Sequence, residues 1–346
     1  MMSQQRLITV LGEFKKQLQV RPFTPHRLLF NAHLQTCLAA TWKRSFPWGC
    51  DCSEQIFFKT SQNVAIHAEV AIAGRGNPTL VAIHGVGGGS DAPYMQGLLH
   101  KSWRLGWNTV LLNLYDLNLH SSPPVIFHSG SSHQLGEVLR SISRFPWCGS
   151  LYVFAVSMGA NMLLRFLGES HSILRNVKAA AVISPLVDLM TSWKILDRPT
   201  NRFYRWHFVR GLKRVIREHS AHLESFIDVD EFSHIHTIRE FDELFTAPLG
   251  GFKNAFDYYK NAGAHSVLGQ IRTPTLLIHS LRDPILPSDP LGCRTLTEND
   301  FLLPELTHRG GHVGFIEQER KDIDRYWAEN RVMDFFDFLH RHAKSP

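Results

Sequence analysis

The sequence predicts an α/β fold in which a mostly parallel central sheet carries helices on both faces and a helical cap is inserted in the second half of the chain. Two observations support this prediction. Short apolar runs alternate with stretches of helical period from about residue 79 to residue 183, as strands and helices do in such folds. The alternation stops near residue 186, and a buried strand recurs only after residue 265. With 346 residues, 44% of them hydrophobic, the chain can bury the core of one such domain.

The elements are predicted in a definite order along the chain. A helical N-terminal extension covers residues 1–50 and is broken by Pro22, Pro25 and Pro47, and the α/β domain covers 51–346 with its cap at about 186–265. The predicted strands are Ile56–Lys59, Val64–Ile72, Thr79–Ile83, Val110–Leu114, Leu151–Val156, Val177–Ile183, Thr275–His279 and Phe301–Leu303. The predicted helices outside the cap are Tyr94–Leu105, Gln134–Ser143, the stretch after Ser157 and Tyr326–Leu339. The first two strands alternate polar and apolar residues, which favours an antiparallel edge.

A candidate nucleophile lies where a strand runs directly into a helix. The strand Leu151–Val156 is followed at once by Ser157-Met158-Gly159. A strand-to-helix turn with small residues around a serine lifts the serine Oγ clear of the sheet. Ser157 is therefore a candidate catalytic serine, and its alternative role is that of a buried structural serine.

A candidate acid and base follow further along the chain. Asp283 comes after the strand Thr275–His279, and His312 lies in a glycine-rich loop before the last helix. A serine hydroxyl needs a histidine to take its proton and a carboxylate to fix the imidazole tautomer. Asp188, after the strand Val177–Ile183, is a rival acid, and Asp283 is preferred because its strand is cleaner and its distance to His312 fits. Taken singly, Asp283 could open a turn and His312 could be an ordinary loop histidine.

The loop after the strand Thr79–Ile83 reads His84-Gly85-Val86-Gly87-Gly88-Gly89. A His-Gly loop at this position supplies one backbone N–H of an oxyanion hole, and the residue after the nucleophile supplies the other. We therefore expect the amides of Val86 and Met158 to act as donors. A dinucleotide-binding interpretation fits poorly, because the third glycine is misplaced and no acidic residue ends the next strand near Leu114. No cofactor is expected.

Several further motifs lie outside these residues. They are Asn31-Ala32-His33-Leu34-Gln35-Thr36, Pro93-Tyr94, Phe127-His128-Ser129-Gly130, Arg239-Glu240-Phe241-Asp242, Asp257-Tyr258-Tyr259 and Gly310-Gly311-His312-Val313-Gly314-Phe315. Together they resemble the YheT-like branch of the α/β-hydrolase superfamily, which includes the abhydrolase-domain proteins 1, 2, 3 and 15, over about residues 22 to 340. The chain departs from the family pattern at Ala155, where glycine is usual, and at Asn113-Leu114-Tyr115-Asp116.

The resemblance implies a serine carboxylic-ester hydrolase that works through an acyl-enzyme. Short- to medium-chain acyl esters or monoacylglycerol-type lipids are the implied substrates, with phospholipids as a further class. An acyltransferase with the same triad is one alternative; it is weakened because no histidine here is followed by aspartate five positions on. A non-catalytic scaffold of the same fold is the other.

Composition narrows the remaining classes of function. Five scattered cysteines favour a reducing compartment, and neither Cys50-x-Cys52 nor His234-x-His236 has the spacing of a metal site, so no metal is expected. The net charge of +6 is concentrated between Lys194 and Arg217. One helical face there carries Arg210, Lys213, Arg214 and Arg217, and the opposite face carries Phe208, Val209, Leu212, Val215 and Ile216. The basic face is either solvated or in contact with an anionic lipid surface; nothing resembles a nucleic-acid-binding fold.

The N-terminal helix has an amphipathic pattern. Leu7, Leu11, Phe14 and Leu18 recur at helical spacing with charged residues between them, unlike the continuous apolar core of a signal peptide. This helix is expected to pack on the body of the protein, with a membrane-surface anchor as the alternative. The longest uncharged stretch, Phe145–Leu164, contains the serine turn and is not expected to span a membrane. We expect a cytoplasmic protein, with peripheral contact at a membrane as the variant.

Overall fold

The computed structural model describes residues 3–44, 53–61, 65–114, 126–169, 176–218, 234–289, 298–321 and 323–344. The strands are β1 (Ser53–Lys59), β2 (Ala65–Ala71), β3 (Asn77–Ile83), β4 (Asn108–Asn113), β5 (Cys148–Val156), β6 (Val177–Ile183), β7 (Thr275–Ser280) and β8 (Leu302–Thr307). The helices are α1 (Gln4–Val20), α2 (Ala32–Thr41), α3 (Pro93–Arg104), α4 (Ser132–Ile142), α5 (Ser157–Glu169), α6 (Leu189–Leu196), α7 (Arg202–Glu218), α8 (Ile238–Phe241), α9 (Ala247–Leu249), α10 (Ala255–Ala262) and α11 (Trp327–Lys344).

The strands form one sheet in the order β1-β2-β4-β3-β5-β6-β7-β8. β2 pairs antiparallel with both β1 and β4, and every other neighbouring pair is parallel. The parallel strands need cover on both faces, and the apolar run Leu80–Ile83 in β3 is accordingly fully buried. These observations confirm the predicted fold class, including the antiparallel edge.

The two faces of the sheet are covered by different helices, and β5 shows how the sequence serves both. Leu151, Val153 and Ala155 belong to the core beneath α4 and α5. The alternate residues Tyr152, Phe154 and Val156 belong to the core beneath α3, α11 and α1. Successive side chains of a strand point to opposite faces, so a continuous apolar run is what a strand buried on both sides requires.

Helix α1 packs on the body of the protein. Its residues Val10, Leu11, Phe14 and Leu18 are buried, and the Phe14 ring lies 5.1 Å from Phe335 and 5.2 Å from Phe338 of α11, between ring centroids. The first of the two alternatives for the N-terminal helix is therefore confirmed. Within the part of the chain that the structure describes, no helix is long and apolar enough to cross a membrane.

The last strand differs from its prediction. The sequence predicted Phe301–Leu303, whereas β8 continues to Thr307 through Pro304. β8 pairs only with β7 in the sheet order, and proline is tolerated on an edge strand because its missing N–H can face away from the ladder. The predicted residues Pro47, Cys50, Cys52, Tyr115 and Asp116 lie outside the described residues.

Helices α6 to α10 lie between β6 and β7, within the segment where the alternation of strand and helix stops. Many of their apolar residues pack in two clusters apart from the cores of the sheet, one around Phe241 and Phe245 and one around Tyr258 and Tyr259. A turn of π-helix, Asp242–Thr246, links α8 to α9. Such turns recur at functional sites. Residues 186 to 265 are called the inserted segment below.

Candidate active site

Ser157 is the first residue of α5 and follows directly on β5. Its φ is 52°, a left-handed conformation that is rare for residues other than glycine. The turn requires close approach on both sides. A Cβ on Gly159 would lie 2.5 Å from the carbonyl oxygen of His84, and a Cβ on Gly85 would lie 3.0 Å from Ser157 Cβ. Ala155, where the family usually has glycine, is fully buried in the sheet between β3 and β6, so its methyl group is accommodated.

His312 lies in the loop between β8 and α11 and contacts both predicted partners. Its Nε2 is 3.0 Å from Ser157 Oγ, and its Nδ1 is 2.9 Å from Asp283 Oδ2. The structure therefore brings Ser157, Asp283 and His312 together in one hydrogen-bonded chain. With an ionised Asp283 as acceptor, the proton of a neutral imidazole lies on Nδ1, and Nε2 is left to accept from the serine hydroxyl.

The environment of Asp283 favours its ionised form. Its Oδ1 accepts hydrogen bonds from the backbone N–H groups of Ile285 (2.8 Å) and Leu286 (3.0 Å). Burial by itself raises the pKa of this carboxyl, but His312 and these N–H groups outweigh that effect and hold the pKa below its ordinary value. Asp283 is thus an ionised, fixed acceptor for the imidazole.

The rival acid Asp188 has another structural role. It is the N-cap of α6, where its carboxylate accepts from the backbone N–H and the hydroxyl of Thr191 at 2.9 and 2.5 Å. Aspartate is among the preferred N-cap residues because it satisfies the free N–H groups of the first turn. Of the two acids, it is Asp283 that contacts His312.

The loop that contains Val86, one of the two predicted donors, is fixed by the buried His84. His84 Nε2 accepts from the backbone N–H of Leu114 at 2.9 Å, so its Nδ1 carries the proton and donates to the Gly85 carbonyl at 2.7 Å. Val86 and Met158, predicted from the sequence as backbone donors, both line the cavity at Ser157. The structural role of the His84 side chain was not predicted, because its partner Leu114 lies 30 residues away.

Backbone strain is concentrated around these residues. Among the described residues other than glycine, positive φ occurs at Ser157, Ser184 and Val313. The backbone N–H of Val313, which follows His312, donates to Ser184 Oγ at 3.2 Å. Residues in such sparsely populated conformations cluster at functional sites, since the surrounding structure must hold them there.

A cavity of about 130 Å³ opens at Ser157 and His312. Most of its wall is apolar and comes from the inserted segment, including Leu189, Trp193, Phe208, Leu212 and Phe241. Pockets that bind small organic ligands combine such apolar walls with a few placed polar groups. The arrangement suits an apolar chain attached to a polar reacting group near Ser157.

Two polar side chains that line the cavity, Asp242 and His128, were not predicted as site residues and appeared in the sequence analysis only as members of family motifs. Asp242 is buried and accepts a hydrogen bond from the Tyr259 hydroxyl at 2.8 Å, and burial raises its pKa to about 7. His128 accepts from the Gly130 backbone N–H at 3.0 Å, and burial lowers its pKa to about 4. The sequence signal for both is their place in motifs that carry no triad residue.

Comparisons with known proteins place the chain among hydrolases. No family model matches it. It is 28% identical over 325 residues to YheT of Escherichia coli, which is named as an esterase, and covers 92% of that protein with 90% of its own length. It is 29% identical over 272 residues to the monoacylglycerol lipase of Saccharomyces cerevisiae and 29% identical over 244 residues to phospholipase ABHD3 of Mus musculus. These matches take in 76% and 69% of this chain, which spans only 60% and 59% of those two relatives.

Solved structures agree at the level of the fold. The Pyrococcus furiosus esterase PF2001 superposes with a TM-score of 0.54 at 16% identity, over 93% of this chain and 97% of that one. The α/β hydrolase GrgF from Penicillium sp. sh18 gives 0.54 at 15% identity, over 84% and 98%. The chain therefore has the α/β-hydrolase fold, and over most of its length its sequence is similar to those of YheT, the monoacylglycerol lipase and phospholipase ABHD3.

Proposed function

We propose that the protein is a serine carboxylic-ester hydrolase that acts through an acyl-enzyme on short- to medium-chain acyl esters, including monoacylglycerol-type lipids. The observation that carries the proposal is the hydrogen-bonded chain from Asp283 through His312 to Ser157, at the mouth of an apolar cavity. The names of the relatives, an esterase, a monoacylglycerol lipase and a phospholipase, support an ester substrate.

In the proposed reaction, Ser157 Oγ attacks the ester carbonyl while His312 Nε2 takes its proton. Asp283 keeps the imidazole in the required tautomer and stabilises the imidazolium that forms. The same proton then passes to the leaving alcohol as the acyl-enzyme forms. A water molecule, deprotonated by His312, releases the acid and restores Ser157.

The backbone N–H groups of Val86 and Met158 are the proposed oxyanion donors. Removal of one such donor typically costs about 3 kcal/mol in transition-state stabilisation. Both residues line the cavity at Ser157. The glycines around them suit this role, because a side chain at Gly85 would press on Ser157.

We also propose that the inserted segment forms a cap over the site and that its apolar wall binds the acyl chain. Each methylene group removed from water there contributes about 0.8 kcal/mol. Phe208 and Leu212 of α7 line the cavity, in agreement with the apolar face predicted for that helix, while the Val215 side chain lies outside the described residues.

The opposite face of α7 is proposed to meet an anionic lipid surface. Arg210, Arg214 and Arg217 on this face are exposed. Phe203 and Trp206 near the start of the helix are 57% and 53% exposed, and Arg210 lies over the Trp206 ring at 5.3 Å. Exposed aromatic rings beside basic residues are typical of helices that lie in a membrane interface.

Labelling with a fluorophosphonate probe tests the proposed chemistry. The probe reacts with an activated serine, so the wild-type protein is expected to become labelled on Ser157 and to lose ester hydrolysis in parallel. Ser157→Ala should remove both. Labelling of another residue, or hydrolysis that persists in Ser157→Ala, would contradict the proposal.

A further inference from the structure

Helix α2, the second helix of the chain, contacts the glycine-rich loop Gly310–Phe315 that contains His312. The Thr36 hydroxyl donates to the Ala32 carbonyl at 2.8 Å within the helix. The same hydroxyl oxygen accepts a hydrogen bond from the backbone N–H of His312, also at 2.8 Å. Thr36 is 7% exposed, so this N–H would be left buried and unpaired without the hydroxyl. The bond joins residues 276 positions apart.

Gln35 holds the C-terminal end of the same loop through hydrogen bonds to the backbone of Ile316. Its side-chain amide donates to the carbonyls of Leu29 (2.6 Å) and Ile316 (3.0 Å), and its Oε1 accepts from the backbone N–H of Ile316 at 2.7 Å. Gln35 is fully buried. The two neighbours Gln35 and Thr36 therefore hold the loop on both sides of residues 313–315.

The glycines of the loop permit this close contact. A Cβ on Gly311 would overlap with Ala32 and Thr36, and a Cβ on Gly314 would overlap with the backbone of Gln35. The Gly311 N–H donates to the Gly314 carbonyl at 2.7 Å, which closes the loop on itself. The Gly-Gly-His-Val-Gly motif and the Asn-x-His-Leu-Gln-Thr motif thus form the two sides of one interface.

We propose that Thr36 is a positioning residue for ester hydrolysis: by accepting the His312 N–H it sets the imidazole at its distance from Ser157. This inference rests on the proposed function of the triad. It assigns a role to an N-terminal motif that contributes no group to the reaction. The alternative is that the Thr36 hydroxyl only holds α2 against the domain. Removal of the hydroxyl would then lower the stability of the protein and leave the active site of each folded molecule unchanged.

The test compares Thr36→Val, Thr36→Ser and a matched control in the full chain. Thr36→Val keeps the shape but removes the acceptor, and Thr36→Ser keeps the acceptor. The control is Thr41→Val, because Thr41 makes the same bond to its own helix, with its hydroxyl donating to the Cys37 carbonyl at 2.8 Å, and is exposed. For each variant, kcat and KM for a p-nitrophenyl ester are measured per active site titrated with the fluorophosphonate probe, with Tm as a measure of folding.

Thr36→Val is expected to lower kcat per titrated site by about 10- to 100-fold, the loss typical of a small misplacement of a reacting group. KM should stay within about twofold of the wild type, since the cavity is untouched. Thr36→Ser should restore kcat, and Thr41→Val should not change it. The low-field proton resonance of the His312–Asp283 hydrogen bond should shift in Thr36→Val and stay in place in Thr41→Val.

A wild-type kcat per titrated site in Thr36→Val, with an unmoved resonance, would overturn the inference even if Tm falls. If Thr36→Val does not fold, Thr36→Cys takes its place, because sulfur keeps the volume and is only a weak acceptor, and the same loss of kcat is expected. Failure of the proposed function has a different signature, which is persistence of hydrolysis in Ser157→Ala.

Discussion

His312 Nε2 lies 3.0 Å from Ser157 Oγ although the two residues are 155 positions apart in the chain. The contact joins the direct turn from β5 into α5 and the loop after β8, which lie at the same edge of the sheet. Both strands are parallel members of the sheet, so their carboxyl ends meet at that edge, where open α/β sheets bind ligands. The order of strands thus converts a long separation in sequence into a hydrogen bond.

Removal of any member of the triad should abolish nearly all hydrolysis. For Ser157→Ala and His312→Ala we expect kcat for a p-nitrophenyl ester to fall by about 10⁶-fold, and for Asp283→Asn by about 10⁴-fold. The double variant Ser157→Ala/His312→Ala should be no worse than either single one, because the residues act as a unit. Losses that add in the double variant would show that the residues do not cooperate.

Substitution of Asp188 should affect stability and spare catalysis. Asp188→Ala removes the N-cap of α6 and is expected to lower the free energy of unfolding by about 1 kcal/mol. Denaturant unfolding measures this, and Asp188→Asn is the matched control because asparagine caps as well. A large loss of kcat in Asp188→Asn, with activity retained in Asp283→Asn, would exchange the roles given to the two acids.

The turn at Ser157 should not tolerate a side chain at Gly159. A Cβ there would meet the His84 carbonyl at 2.5 Å. Gly159→Ala should therefore force helix α5 away from the loop that begins at His84 and reduce both Tm and kcat. Gly12→Ala in α1 is the control, because a Cβ there meets nothing within 4 Å. That change should raise stability by about 0.5–1 kcal/mol. Equal effects of the two changes on Tm would show that the close approach is not rigid.

The stability of the protein should depend on pH through Asp242. Because burial raises the pKa of this carboxyl to about 7 in the folded state, the folded state holds its proton where the unfolded chain, with a pKa near 3.9, has lost it. Stability from this group is thus fully present below about pH 4 and is lost as pH rises towards 7. As pH rises from about 4 to 7, the free energy of unfolding of Asp242→Asn should therefore increase relative to that of the wild type.

Denaturant unfolding at a series of pH values measures this difference. Asp300→Asn serves as the control, because Asp300 is exposed. If the difference between Asp242→Asn and the wild type does not change from pH 4 to pH 8, the carboxyl does not titrate in the folded protein as described.

The basic face of α7 should contribute to binding of anionic vesicles. Charge reversal at Arg210, Arg214 and Arg217 is expected to weaken binding to vesicles that contain acidic lipid, by about 1 kcal/mol for each residue near the surface, and added salt should weaken wild-type binding. Hydrolysis of a small soluble ester should not change. Leu212→Ser, on the side of the helix that lines the cavity, should instead alter chain-length preference. Equal binding to neutral and acidic vesicles would leave the basic face without this role.

The fold followed from local sequence patterns where the residues are buried on both sides. Leu80–Ile83 and Leu151–Val156 are continuous apolar runs because the sheet is covered on both faces. The ends of these two strands were predicted correctly, but β3 and β5 begin two and three residues before the predicted Thr79 and Leu151, where the residues are more polar. β8 was predicted too short because an edge strand can contain Pro304 and still pair with β7.

Residues adjacent to a recognisable turn were predictable as site candidates, whereas those that act across the fold were not. Ser157 carries a local signal, the change from strand to helix. Thr36 and His84 were named only as members of motifs, and their roles could not be predicted, since their partners, the backbone N–H groups of His312 and Leu114, are reached only through tertiary structure. Asp242 likewise was named only as the last residue of a motif, and its position in the cavity wall is evident only from the structure.

The most direct test of the proposed mechanism is to trap the acyl-enzyme. The wild-type protein is mixed with a slowly turned-over p-nitrophenyl ester, quenched in acid within the first turnover and digested for peptide mass analysis. We expect an acyl group on Ser157, formed together with about one equivalent of p-nitrophenol per site. An acyl group on any other residue, or p-nitrophenol release with no acylated peptide in a protein that hydrolyses the ester, would contradict the proposed mechanism.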